Sequence, residues 1–129
     1  MPKKSILLIE HEADLRDILG DCLSEIGDWQ VAVSSSMEEG INLCEISRPD
    51  VVLVDASTLE DDALLLVEQL KEYSKAHAVP IFLLSSRAGW FTLKEFNQMG
   101  FSGAISKPFN PSTLSSQVSQ LMNLNKSDA

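Results

Sequence analysis

Chemically useful side chains follow four short apolar runs of this sequence, each at the point where the run ends. The first run precedes two acidic residues around a histidine, the second an aspartate, the third two hydroxyls and the fourth a lysine. These residues are Glu10-His11-Glu12, Asp55, Ser85-Ser86 and Lys107. If the runs are parallel strands, their carboxyl ends meet at one edge of a sheet, where open α/β folds bind ligands.

Together these groups form a coherent set for phosphoryl transfer. The carboxylate of Asp55 can attack phosphorus, and an acidic cluster can hold a divalent cation that lets two anions approach each other. A hydroxyl and an ammonium can then hydrogen-bond and neutralise the phosphoryl oxygens. The set therefore predicts a phosphoacceptor site centred on Asp55.

The order of the predicted elements indicates an α/β domain. Segment 51–55 is an unbroken apolar run ending in a carboxylate, which is typical of a strand buried on both faces of a parallel sheet. Further strands are predicted at 5–9, 29–33, 80–84 and 103–106. A predicted helix follows each strand, marked by apolar residues at helical spacing or, after the fourth strand, by a capping pair, which predicts a doubly wound parallel sheet with helices on both faces.

Helix boundaries carry their own signals. The pairs Ser36/Glu39 and Thr92/Glu95 predict capping boxes, in which a hydroxyl and a carboxylate each accept a backbone N–H. Asn110-Pro111 predicts the start of the last helix.

The two cysteines lie on predicted apolar helix stripes. The first helix has apolar residues at 15, 18, 19, 22, 23 and 26, among them Cys22, and Cys44 occupies the same kind of position in the second helix. Their number and spacing form neither a disulfide framework nor a metal-binding pattern. We therefore predict two reduced, buried thiols.

Composition bounds the class of protein. The chain has 129 residues, 44% of them hydrophobic, and a formal net charge of −9. This excess of acidic residues argues against direct nucleic-acid binding and against docking to an anionic membrane. The short apolar run after residue 4 is neither a signal peptide nor a membrane span, which predicts a cytoplasmic protein. We expect one domain over residues 5–124, between tails at 1–4 and 125–129.

Over nearly its whole length the sequence resembles the receiver domains of two-component response regulators. The resemblance rests on ILLIE ending at Glu10, VVLVD ending at Asp55, FLLSS containing Ser85 and SKPF containing Lys107. It implies a flavodoxin-like sheet of strand order 2-1-3-4-5. It also implies that Asp55 accepts a phosphoryl group from a histidine kinase or phosphotransfer protein, while Ser85 hydrogen-bonds the phosphoryl group and Lys107 pairs with it.

The resemblance further implies an Mg²⁺ site, and here the sequence departs from the family. Glu10, Asp55 and the backbone carbonyl of Ser57 match ligand positions, but His11 stands where the family has a second acidic ligand. Mg²⁺ prefers oxygen, so an imidazole removes both a ligand and a charge. Weaker Mg²⁺ binding, or a shift toward the more imidazole-tolerant Mn²⁺, is the resulting hypothesis, with His11 as a candidate ligand.

Other departures concern signalling. The loop at 58–63 lacks the family's usual Met-Pro and Gly, which leaves its geometry open. Ala104 replaces the aromatic residue that normally rotates when the phosphoryl group is bound, so that form of coupling to Ser85 is lost. Trp90 and Phe91 could supply a different apolar signalling surface.

Three functions remain open at this point. The first is a receiver that signals through a downstream protein partner, with phosphorylation-dependent dimerisation as an open question, and that assists only its own phosphorylation and dephosphorylation. The second is a degenerate pseudo-receiver that binds proteins without phosphorylation, which His11 and Ala104 favour. The third is a flavodoxin-like small-molecule binder, which would need a phosphate-binding loop of free N–H groups after the first strand. Glu10-His11-Glu12 has the wrong charge for that loop.

Overall fold

The computed structural model describes residues 4–56, 64–86, 89, 92–107 and 110–127. In these residues, five parallel strands form one sheet in the order β2-β1-β3-β4-β5. The strands are β1 (Ser5–Ile9), β2 (Gln30–Ser34), β3 (Val51–Asp55), β4 (Ile81–Ser85) and β5 (Gly103–Ser106). The predicted fold and strand order are confirmed, and β2 and β4 each begin one residue later than predicted.

Helices follow every strand. They are α1 (Ala13–Asp21), α2 (Met37–Ser47), α3 (Leu64–His77), α4 (Leu93–Gln98) and α5 (Leu114–Ser127). A π-helical segment, Cys22–Ile26, continues α1, and a 3₁₀ turn, Pro111–Thr113, precedes α5. Within the described residues no helix is long and apolar enough to cross a bilayer.

Apolar side chains pack against both faces of the sheet. Every residue of β3 and β4 is buried, as the unbroken apolar runs predict for central parallel strands. On one face, strand residues pack with α1 and α5, including Leu19 and Val118. On the other face they pack with α2, α3 and α4, including Cys44, Leu70 and Phe96.

Fewer apolar residues of the first helix are buried in the structure than the sequence predicted. Leu19 and Leu23 are fully buried, whereas Ile18 and Ile26 are 50% and 58% exposed. Cys22 is only partly buried, so the burial predicted for it was wrong, while Cys44 is buried as predicted. The reason is that only the centre of the stripe reaches the sheet, and the wider π-helical turn changes the direction of the side chains that follow it.

The turn before α2 corrects one capping prediction. Ser36 Oγ accepts the N–H of Glu39 at 3.2 Å, as predicted. The N–H of Ser36, however, donates to Ser34 Oγ at 3.2 Å, and the Glu39 carboxylate accepts from Ser35 Oγ at 3.3 Å. The reciprocal half of this capping box was therefore wrong, because a neighbouring serine satisfies the donor.

The two other helix starts confirm the sequence signals. The Thr92/Glu95 capping box is complete. Asn110 accepts the N–H of Ser112 and precedes Pro111, which begins the 3₁₀ turn that leads into α5.

The junction between the π-helical segment and α5 is tightly packed. Trp29 is 4% exposed, and its indole Nε1 donates to Ser115 Oγ at 2.9 Å. A Cβ atom added at Gly27 would overlap the Ser115 side chain and the Trp29 ring. The φ of Gly27 is −92°, which any residue can adopt, so this position is limited by space.

We expect Gly27→Ala to lower the free energy of unfolding by about 1–3 kcal/mol, because the methyl group must separate Trp29 from Ser115. Urea denaturation followed by tryptophan fluorescence measures this change. Gly20→Ala is the matched control, since its Cβ would make ordinary contact with Val33 at 3.5 Å. Its higher helix propensity should keep stability equal or raise it by up to about 1 kcal/mol. Unchanged stability in Gly27→Ala would contradict the packing described.

Candidate functional site

The strand register brings predicted site residues to one edge of the sheet. Ile9 pairs with Val54, so the next residues, Glu10 and Asp55, emerge side by side. Ser85 ends β4, and its carbonyl accepts the N–H of Lys107 at 3.0 Å. The carboxyl ends of β1, β3, β4 and β5 thus carry the residues that the sequence singled out.

Successive residues of a strand point to opposite faces of the sheet, so the strand position of each site residue shows on which face its side chain lies. The β3 residues that share a face with Asp55 pack against α1 and α5. By the same alternation Glu10 and Lys107 emerge on that face, and Ser85 emerges on the opposite one. Glu10, Asp55 and Lys107 therefore converge, and Ser85 approaches the edge from the other side.

The central contact is an ion pair between Lys107 Nζ and Asp55 Oδ2. The side chain of Asp55 is 1% exposed and that of Lys107 is 28% exposed. A carboxylate buried without a cation would destabilise the fold by several kcal/mol, so Lys107 is what makes an ionised Asp55 tolerable here. The arrangement can present a nucleophilic oxygen with a neutralising ammonium beside it.

Glu10 is as deeply buried as Asp55, and its two oxygens differ. Oε1 accepts the N–H of Glu12 at 3.1 Å. Oε2 is buried and has no hydrogen-bond partner among the described residues. Burial comes first among the causes that raise the pKa of Glu10 to about 7, followed by a hydrogen bond that its protonated carboxyl group makes with Asp55 and by the charge of Asp55, while the Glu12 N–H and Lys107 oppose the rise. When both carboxyl groups are ionised, no proton remains between Glu10 and Asp55, and the two carboxylates repel each other.

This pair of carboxylates fits a divalent cation. An unpartnered buried oxygen next to a second carboxylate is the hard oxygen environment that Mg²⁺ prefers, and Mg²⁺ is often bound by one or two carboxylates with several waters. In the part of the chain that the structure describes, no three His, Cys, Asp or Glu side chains are arranged to hold a metal. A cation at this site would therefore take only two carboxylate ligands from the described residues.

His11, a predicted candidate ligand, lies at the rim of the site. Its side chain is 54% exposed, and its Nδ1 is 3.5 Å from Glu10 Oε1. The imidazole therefore borders the oxygen that already accepts the Glu12 N–H. Ser57, the remaining predicted ligand, lies outside the described residues, as do Trp90 and Phe91.

Arg16, which the sequence interpretation did not single out, contacts the loop that carries Glu10. Its Nη1 donates to the carbonyl oxygen of Glu10 at 3.0 Å and lies 3.5 Å from the carbonyl oxygen of His11. An arginine early in a helix is usually a solvated residue, so its type carried no signal. Its position one helical turn after Glu12 was the clue available, since that turn faces the loop.

A family model described as the response regulator receiver domain matches residues 6–119 of the chain. "Probable transcriptional regulator ycf27" of Guillardia theta is 29% identical over 116 residues, which cover 90% of this chain and 44% of that protein. "Response regulator Rre1" of Synechocystis is 25% identical over 118 residues, which cover 92% of this chain and 51% of that protein. The chain spans about half the length of these curated relatives.

Solved structures show the same fold. The chemotaxis response regulator CheY4 of Vibrio cholerae has a TM-score of 0.76 and 20% identity, covering 93% of this chain and 99% of that one. The non-phosphorylated HemR receiver domain of Leptospira biflexa has a TM-score of 0.74 and 21% identity, covering 93% of this chain and 94% of that one.

The buried Glu10 predicts a pH dependence of stability in the metal-free protein. Its pKa is raised from 4.5 to about 7 in the fold, so between these values the folded state holds a proton that the unfolded chain has lost. The stabilising contribution of this proton is complete below about pH 4.5 and is lost as the pH rises through about 7. Relative to wild type, Glu10→Gln should therefore gain up to about 3 kcal/mol of stability between about pH 4.5 and pH 8.

Urea denaturation in the presence of EDTA at both pH values measures this gain. Glu12→Gln, which changes an exposed carboxylate of the same loop, is the comparison variant. A difference between wild type and Glu10→Gln that stays constant with pH would contradict the raised pKa.

Proposed function

The chain belongs to the response regulator receiver family, and we propose that Asp55 accepts a phosphoryl group from a histidine kinase or a phosphotransfer protein. The phosphorylated domain then signals by binding another protein, as a regulatory module and not as a turnover enzyme. The observation that carries this proposal is the buried Asp55 carboxylate, paired with Lys107 and adjacent to Glu10.

The roles of the surrounding residues follow from charge. An oxygen of Asp55 forms the bond to phosphorus as the bond between phosphorus and the donor imidazole nitrogen breaks. Lys107, already paired with Asp55, neutralises the phosphoryl oxygens during and after transfer. We propose that Ser85, buried at the end of the neighbouring strand, donates its hydroxyl to a phosphoryl oxygen from its side of the sheet edge.

We propose Mg²⁺ as the cation, held by Glu10, Asp55 and the carbonyl of Ser57. When bound, Mg²⁺ offsets the repulsion between the carboxylate and phosphoryl oxygens. His11 replaces a carboxylate at the rim of this site, so we expect Mg²⁺ to bind weakly. Mn²⁺, which accepts imidazole more readily, should lose less affinity from the same replacement.

The surface that signals should differ from the family's usual one. Ala104 packs, partly buried, beside the apolar cluster on the α2–α4 face, and it offers no ring whose rotation could connect Ser85 to the surface. We propose output through another apolar surface, for which Trp90 and Phe91 are candidates from the sequence. The net charge of −9 favours a protein partner over nucleic acid, and we propose that this partner is met in the cytoplasm.

Phosphoramidate with Mg²⁺ should add the mass of one phosphoryl group to the intact protein, because this small donor replaces the kinase. Asp55→Asn should abolish the adduct, since the amide cannot act as the nucleophile. Asp17→Asn, an exposed aspartate of α1, is the matched control and should be modified as wild type is. Light scattering on the modified protein determines whether it dimerises.

An adduct that persists in Asp55→Asn would place the modification elsewhere and overturn the assignment of Asp55. Absence of any adduct in wild type with Mg²⁺, Mn²⁺ and a panel of purified histidine kinases would favour the pseudo-receiver, which binds partners without phosphorylation.

His11→Asp should raise the affinity for Mg²⁺ by about an order of magnitude, because it restores a hard, charged ligand. The affinity for Mn²⁺ should rise less, so the ratio of the two dissociation constants is the informative quantity. Isothermal titration calorimetry measures both, with Glu12→Gln as a control for charge in the same loop. Equal Mg²⁺ affinity in wild type and His11→Asp would remove the proposed effect of His11.

A further inference from the structure

The loop between β1 and α1 is held by a set of backbone contacts. The N–H of Glu10 donates to the carbonyl of Ser34 at 2.9 Å, which fixes the start of the loop. The carbonyl of Glu12 accepts the N–H of Arg16 at 2.9 Å, which fixes its end. Between them, the guanidinium of Arg16 holds the carbonyls of Glu10 and His11. One half-buried side chain thus contacts both peptide groups that connect Glu10 to Glu12.

These contacts determine which oxygen of Glu10 remains available. With the carbonyls of Glu10 and His11 turned toward Arg16, the N–H of Glu12 points to Glu10 Oε1 at 3.1 Å. Oε1 is then occupied, and the buried Oε2 is left without a hydrogen-bond partner in the described part of the chain. The conformation of the loop therefore determines that Oε2, and not Oε1, is the Glu10 oxygen left to bind a cation.

We propose that Arg16 is a positioning residue for the cation site, which fixes the Glu10–Glu12 loop so that Glu10 Oε2 is presented beside Asp55. This inference rests on the proposed Mg²⁺ site but not on phosphorylation. Replacing Arg16 should have two opposite effects on the affinity for the cation. Removing a positive charge near a cation site should by itself strengthen cation binding, whereas loss of the positioning contacts should weaken it.

Arg16→Gln separates these effects, because glutamine has a helix propensity similar to that of arginine but cannot reach and hold both carbonyls. We expect its dissociation constant for Mg²⁺, measured by calorimetry, to rise about tenfold, the scale seen when groups that orient metal ligands are removed. Arg16→Lys keeps the positive charge and one donor group, so its affinity for Mg²⁺ should lie between those of Arg16→Gln and wild type. Arg48→Gln removes the same charge from an exposed residue that ends α2 and should bind Mg²⁺ as wild type does.

Amide hydrogen exchange of the metal-free proteins supplies a second readout. The Glu12 N–H should exchange faster in Arg16→Gln than in Arg48→Gln or wild type, while amides of the buried strand β3 keep their protection. Uniformly faster exchange with unchanged Mg²⁺ affinity would show that Arg16 only stabilises the fold, and would overturn the proposal. Equal or tighter Mg²⁺ binding by Arg16→Gln, or no Mg²⁺ binding by wild type, would overturn it as well.

The two proposals fail separately. A wild-type protein that binds Mg²⁺ in an Arg16-dependent way but is never modified on Asp55 would contradict the proposed function alone. A protein modified on Asp55 whose Mg²⁺ affinity is insensitive to Arg16→Gln would contradict the positioning role alone.

Discussion

The buried carboxylate of Asp55 is the constraint on which the rest of the site depends. It is 1% exposed, and a charge in that position needs a cation within contact distance. The cation comes from Lys107 at the end of β5, which is separated from β3 by the whole of β4. A slip of one residue in either strand pairing would move the lysine to the opposite face of the sheet. The apolar packing on both faces therefore does more than stabilise the fold, because it maintains the register that neutralises Asp55.

Much of this arrangement could be predicted because it follows from strong, local patterns. The run that ends at Asp55 is apolar on both faces, which is typical of a central strand, and parallel strands carry their carboxyl ends to one edge. The convergence of Glu10, Asp55 and Lys107 was expected from this pattern together with the strand order that the resemblance to receiver domains implied. The functional roles given to these residues remain proposals, since their proximity follows from the fold alone.

The remaining details depend on neighbours that a one-dimensional pattern does not specify. Cys22 has the spacing of a core residue, yet the π-helical segment that begins there leaves it partly exposed. Ser36 has the spacing of a full capping box, yet Ser34 Oγ takes its N–H. Arg16 lies one helical turn after Glu12, but its residue type gave no signal that its guanidinium contacts the carbonyl oxygens of Glu10 and His11. In each case a local contact determines whether the side chain is buried or which hydrogen-bond partner it has, and the sequence pattern allows either outcome.

Glu10 shows how the demands of the fold and of the site diverge. A glutamine would fit the same space and would offer N–H donors to the carboxylate of Asp55, so above about pH 7, where Glu10 is ionised, it would suit the metal-free protein better than a second acceptor does. Residues that break such a local rule are expected where function requires them. A cation bound between Glu10 and Asp55 would explain the carboxylate at position 10, because the cation stabilises an ionised oxygen far more than a neutral amide. The unpartnered Oε2 is thus a stability defect of the metal-free fold and, by the same physics, the strongest structural support for a cation at the carboxyl edge of β1 and β3.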